Sequence, residues 1–327
     1  MTAWVEVVAR SAAGGAAFSG AAAGLGAAAL WALGSFLFSR AMAPRPGRPR
    51  LSPAAANLFK NTSAGLIFAA AWWVLGDAPP APSAWLSLGL SGFLGFAVGD
   101  ALYFAAFSRC GVQLAAVAAN LIPPLAALID FLYFGRTLSA AALAAMVVTL
   151  AGIGLVVSER PRTGAGRPPP DPRARRTGLW FAALAAVAQA VAIVSGRAGF
   201  EGTDLLPGTV ARLVGGVSGA LVIAVVLGAL QRGTGTVGEL RLLARPFAYR
   251  ALAWALVPAC LVGAWINLPL HSHALGTLAP GVSAILFATT PLFALPIGMA
   301  LGERYGWRTA VGTAIAFVGV AGVVRFT

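Results

Sequence analysis

Ten runs of roughly 20 apolar residues follow one another along the chain. They lie near 21–39, 54–76, 84–108, 112–134, 138–157, 178–199, 206–230, 251–270, 279–301 and 308–326. At about 1.5 Å of rise per residue, a helix of that length crosses about 30 Å of hydrocarbon. An open sheet cannot satisfy its backbone in lipid, and these runs lack the alternation of barrel strands, so helices are the workable assignment. Composition agrees: of 327 residues, 59% are apolar and 10% charged, with a mean hydropathy of +0.83. Too few polar side chains remain to coat a soluble domain of this length. A soluble enzyme, a disordered chain and a nucleic-acid-binding domain are thereby excluded. An all-α polytopic membrane protein with ten transmembrane helices remains.

The breaks between runs carry turn chemistry and positive charge. Pro44-Arg45-Pro46-Gly47 divides the first two runs, and Asp77-Ala78-Pro79-Pro80 the next two. The longest polar stretch, 158–177, contains Pro168-Pro169-Pro170 and divides the runs five and five. Its composition is that of a solvated linker. The net charge is +13, but charge placement argues against a nucleic-acid partner. Seventeen basic residues fall in the odd-numbered loops, against Arg10, Arg136, Arg197 and Arg325 on the other side. The positive-inside rule then puts the odd loops in the cytoplasm and both termini outside. The bacterial cytoplasmic (inner) membrane is the expected location.

A shift of 167 residues lays Pro124-Leu125 on Pro291-Leu292, Gly135 on Gly302, Gly152 on Gly319 and Val156-Val157 on Val323-Val324. With smaller shifts Arg40 meets Arg197 and Lys60 meets Arg212. The chain reads as a tail over 1–20, a five-helix unit over 21–157, the linker, and a second unit over 178–327. Five is odd, so a second copy on a short linker enters the membrane upside down. Two inverted five-helix repeats can enclose a central cavity and open it to either side, the physical basis of alternating access.

The order of several short motifs resembles the drug/metabolite transporter superfamily, in its EamA-type ten-helix form. The first unit reads Gly99-Asp100-Ala101-Leu102-Tyr103-Phe104, Pro123-Pro124-Leu125, Gly135-Arg136-Thr137-Leu138-Ser139 and Gly152. The second reads Pro291-Leu292, Leu301-Gly302-Glu303-Arg304, Gly312, Gly319 and Gly322. Lys60 and Arg212 match the basic residue often found in the second helix of each repeat. One departure is Gly135-Arg136 where the family has Gly-Glu, as in Gly302-Glu303. The resemblance implies a small-metabolite carrier, most often an exporter of amino acids or related solutes. It also implies cytoplasmic termini, against the charge count.

Charges inside spans cost at least about 2.5 kcal/mol each on insertion scales and demand a role. Lys60, Asp100, Asp130 and Arg212 are such residues. Asp100 shares a helical face with Tyr103, Phe104 and Phe107, so it is a candidate for holding a substrate amine or carrying a proton. Asn267 aligns with Asp100 across the repeat. Pro269 beside Asn267, and Pro123-Pro124 beside Asn120, predict kinked helices lining a polar cavity. Pro291, Gly302 and Glu303 are expected to shape the corresponding helix of the second unit. Gln189 is the strongly polar residue of the sixth run. Snorkelling to the interface is the plainer reading of Lys60 and Arg212.

His271 and His273 are two residues apart and share no helical face, which disfavours a metal site, and no cofactor is implied. Cys110 and Cys260 are isolated and read as small buried side chains. Intramembrane protease motifs and a phosphate-binding loop are missing, so the chain does not read as an enzyme or an ATP-driven pump. A lipid flippase of the same fold is the alternative, with Lys60 and Arg212 as a head-group site. Gly95/Gly99, Gly215/Gly219 and Gly298/Gly302 are spaced for close helix packing, within one chain or in a homodimer. The expected partners are a small solute, membrane lipid and protons.

Overall fold

The computed structural model describes residues 2–46, 51–134, 139–159, 171–230, 235–278, 283 and 286–326. The described residues are helical and contain no strand. Helix α1 spans Thr2–Met42 and α2 Pro53–Leu75. A long run follows, with α3 Pro82–Gly92, a π-helical segment Phe93–Gly99, and α4 Asp100–Cys110. Then come α5 Val112–Ala118, a 3-10 turn Ala119–Leu121, α6 Ile122–Phe134 and α7 Ala140–Val157. The remaining chain forms α8 Pro172–Phe200, α9 Leu205–Leu230, α10 Gly235–Ala248 and α11 Arg250–Cys260. A second π-helical segment Leu261–Ile266 precedes α12 Asn267–Thr277, and α13 Thr290–Ala300 and α14 Trp307–Phe326 close the chain. Among the described residues, six helical stretches are long and apolar enough to cross a membrane: Ser19–Met42, Pro53–Leu75, Pro82–Cys110, Pro172–Phe200, Leu205–Val226 and Arg250–Thr277. Val112–Ala126, Ala140–Val156 and Leu286–Ala300 are shorter apolar helices.

Helix starts follow local chemistry. Ser52 accepts the Ala55 N–H at 3.1 Å with Pro53 following, and Ser139 accepts the Ala142 N–H at 3.1 Å. Asp171 accepts the Arg173 N–H, and Pro172 opens α8 six residues before the apolar run at 178. Helix α8 therefore begins inside the polar stretch, with Arg173, Arg175 and Arg176 in its first turns. The segment read as a tail is likewise helical from Thr2. Helix α10 has no counterpart among the ten apolar runs. It is a 14-residue amphipathic helix inside the seventh loop, with Leu243 buried and Phe247 against Phe59 at 5.2 Å. Gly302 ends the turn after α13 with φ +89°, a conformation that favours glycine. Beside it, burial and then the Glu303 carboxylate push the Tyr305 hydroxyl well above its ordinary range, so it donates to Glu303 Oε2 at 2.7 Å. Gly135-Arg136 and the Asp130 side chain lie outside the described residues.

Helices of the two halves pack crosswise. Helix α1 lies along α11, the second π-helical segment and α12; α8 lies along α3, the first π-helical segment and α4. Helix α7 packs on α14 so closely that glycine is required. A Cβ on Gly152 would collide with the Ala316 backbone, and one on Gly319 with the Thr149 backbone. Gly312 faces Val156 and Gly322 faces Ala145 in the same seam. The index falls from 156 to 145 on one helix as it rises from 312 to 322 on the other, so the pair is antiparallel. The shift of 167 exchanges the two tightest contacts, carrying 152 to 319 and 149 to 316.

The seam is fastened at one end. Glu159 Oε2, just past α7, accepts the Thr309 N–H and hydroxyl at 2.6 Å each, capping the start of α14. Arg175 donates from α8 to the Glu159 carbonyl at 3.1 Å. Gly95, Gly99, Gly215, Gly219 and Gly298 also meet neighbouring helices of this same chain. The largest apolar core, with Phe36, Phe38, Phe104, Phe107, Leu252 and Leu256, gathers at the end where the basic loops lie.

Candidate functional site

A cavity of about 130 Å³ lies between the halves, bounded by residues 27–123 of the first and 182–290 of the second. Its wall is mostly alanine and aromatic. Lys60, Asp100, Tyr103, Asn120, Pro123, Gln189 and Asn267 all reach it.

Lys60 is 2% exposed and forms an ion pair with Asp100 Oδ2. Asp100 Oδ1 accepts from Gln189 Nε2 at 2.8 Å, which ties the carboxylate to the other half of the chain. The ammonium stands 5.4 Å from the Trp31 ring centre, 5.5 Å from Phe104 and 5.7 Å from Phe96. Three rings and one carboxylate thus replace the water that Lys60 has lost. Snorkelling does not describe this lysine; it points inward.

The π-helical segment before Asp100 shapes the site. The Asp100 N–H reaches back to the Gly95 carbonyl, one residue further than an α-helix would. The Phe96 carbonyl instead accepts Asn57 Nδ2 at 2.5 Å and Asn61 Nδ2 at 3.1 Å. Helix α2 is locked to the π-helical segment there, and Lys60, on the same stretch of α2, is aimed at Asp100. Asn57 and Asn61 are not among the residues singled out from the sequence, although polar residues at 57, 60 and 61 within one span are a visible signal. Trp31 is not among them either; a tryptophan at mid-span, away from the interfacial belt, is unusual.

Arg212 is 1% exposed and stands outside the cavity wall. Its Nε donates to Ser91 Oγ at 3.2 Å, and its guanidinium lies 4.5 Å from the Phe96 ring centre. Phe96 is thus shared by both buried cations. Asn267 Nδ2 donates to the Ala27 carbonyl at 2.6 Å, joining α12 to α1. Tyr103 stacks on Trp31 at 6.0 Å and meets Phe107 edge-on at 5.5 Å. Asn120 sits on the 3-10 turn, where Pro123 and Pro124 interrupt the regular ladder. Pro291 lies in the first turn of α13, and the neighbouring Thr290 lines the cavity. His271 lines it too, stacked 4.2 Å from Phe287, while His273 meets Ser19 Oγ at 3.2 Å.

Residues 18–158 match the model of the EamA-like transporter family. The match places this segment, somewhat under half of the chain, among the drug/metabolite transporters. Together with the apolar helices this match supports an integral membrane protein, and members of the matched family transport small solutes. A solved crystal structure superposes with a TM-score of 0.58 over 93% of this chain and 96% of the other, at 21% identity. At that identity the likeness shows the fold alone. No curated protein matches the sequence.

Proposed function

We propose that the protein is a secondary transporter that moves a small polar solute across the bacterial inner membrane by alternating access. In this reading ten helices form two inverted five-helix repeats, and the cavity at their junction is the solute site. The observation that carries it is the cavity itself: it is bounded by both halves and lined by the buried Lys60–Asp100 pair. The antiparallel α7–α14 seam, with contacts exchanged by the repeat shift, supports the inverted arrangement.

The cavity's size supports a small solute, since drug-sized ligands occupy about 300–1,000 Å³. Its charges support an amino-acid-like one. A zwitterion carries the same two charges as the pair, so its carboxylate can take over the Lys60 ammonium and its own ammonium can take over Asp100. Partners are exchanged and no charge is left bare, which avoids the several kcal/mol per ion that separating the pair would cost. Export is the direction that the family resemblance favours.

Purified protein in lipid-only vesicles tests the carrier. Counterflow of a labelled amino acid is expected for the native chain, and Asp100→Asn should lose most net transport while remaining folded. Wild-type rates in that variant would make Asp100 structural. Orientation is tested with single cysteines at Arg173 and Ser83, exposed residues at opposite ends of spans, in a chain whose native cysteines are buried. Labelling of position 173 by an impermeant reagent in intact cells would reject cytoplasmic odd loops.

A further inference from the structure

The polar groups of the cavity are not equally occupied. Lys60 and Asp100 hold each other, and Gln189 Nε2 donates to Asp100. Asn267 Nδ2 donates to the Ala27 carbonyl, and Thr290 Oγ1 to the Phe287 carbonyl at 2.6 Å. Asn120 differs. It is 1% exposed, it lines the cavity, and neither its Nδ2 nor its Oδ1 has a hydrogen-bond partner among the described residues. A buried carboxamide left wholly unpaired is costly in a native structure and calls for a partner that is not part of the chain.

The position is built rather than incidental. Asn120 lies in the 3-10 turn Ala119–Leu121, and Pro123-Pro124 follow at once, so the backbone there is held out of the regular ladder. Ala119, Asn120 and Pro123 face the same cavity as Lys60 and Asp100. A free carboxamide offers two donors and an acceptor side by side. The group that satisfies it presents an acceptor and a donor side by side as well, and it is uncharged, because the cavity wall carries no free countercharge there.

We infer that Asn120 is a specificity station that reads a carboxamide-type end of the transported solute, while the Lys60–Asp100 pair receives its zwitterionic head. This rests on the carrier reading above and narrows it to amino acids whose side chain ends in an amide. Apolar side chains of the same length leave Asn120 unpaired, and an acidic side chain brings an uncompensated charge into a wall of alanine and aromatic residues. Discrimination comes from the polar group that the wrong solute leaves unsatisfied.

The test compares direct binding of labelled L-glutamine and L-norleucine to the full-length protein in detergent, by equilibrium dialysis. Glutamine should bind at least about tenfold more tightly than norleucine. Asn120→Leu should bring the ratio to within about threefold, a change in preference that a general loosening of the fold does not produce. Asn120→Ser, smaller and still polar, covers the case in which the leucine variant does not fold, and it too should narrow the ratio. Equal binding of the two by the native chain, or a preference that survives either substitution, overturns the inference and leaves the carrier reading standing. If the native chain binds neither amino acid, the inference falls together with the amino-acid reading of the cavity.

Discussion

Two runs of the chain, Pro82–Cys110 and Arg250–Thr277, share one design and differ in one residue that matters. Each is interrupted by a π-helical segment, Phe93–Gly99 or Leu261–Ile266, and each segment is followed at once by a buried polar side chain. In the first run that side chain is Asp100, and it holds the lysine of its own half and the glutamine of the other. In the second it is Asn267, which only ties α12 to the α1 backbone. The cations differ to match. Lys60 has a carboxylate, whereas Arg212 has a serine hydroxyl and the Phe96 ring. A shared backbone device thus serves charge in one half and helix-to-helix fastening in the other.

The largest effect should come from breaking the first run. Asp100→Ala leaves Lys60 buried without its acid, at a cost of about 3–5 kcal/mol. Thermal unfolding in detergent should show it. Replacing both partners, Lys60→Met with Asp100→Leu, should recover most of that stability and none of the counterflow.

The next experiment makes the second run resemble the first. Asn267→Asp sets a carboxylate against the Ala27 carbonyl where an amide donor had been, and Lys60 is already taken. A loss of about 1–3 kcal/mol is expected. A variant as stable as the native chain would mean that the second π-helical segment is ready to hold charge, and that the difference between the halves is only one of side-chain identity.

The helix seam measures how alike the halves are. Gly152→Val and Gly319→Val each force a side chain into the partner backbone and should each cost about 1–3 kcal/mol. Similar losses in the two variants fit equivalent positions; a loss in one alone breaks the equivalence. Smallest is Asn61→Ala, which removes the longer of two bonds to the Phe96 carbonyl and should cost about 1 kcal/mol, because Asn57 still donates there.

Much of this design is legible in the residues themselves. Apolar run length marks the helices, since lipid imposes it residue by residue. Lys60, Asp100, Gln189, Asn120 and Asn267 stand out because polar groups in a span need a reason to be there. Which cation takes Asp100 is not legible. That choice depends on how α2 crosses the π-helical segment, and the crossing is set by Asn57 and Asn61 reaching a carbonyl that only a π-helix releases. Neither π-helical segment has a sequence mark beyond the glycines at 95, 99 and 263. Helix α10 is hidden for another reason: its apolar residues follow the helical period, but among arginines and over too short a length to look like a span.

The hydrogen bond from Arg175 to the Glu159 carbonyl has a consequence for how the chain can be cut and joined. It brings together the two ends of the connector between the halves, while Glu159 grips α14 through Thr309. The residues flanking the connector are therefore held together without it. Doubling the length of a loop between such ends costs only about 0.6 kcal/mol in closure entropy. A soluble reporter inserted between 160 and 170 should leave the helices assembled, and two fragments divided there should find each other when made in the same cell.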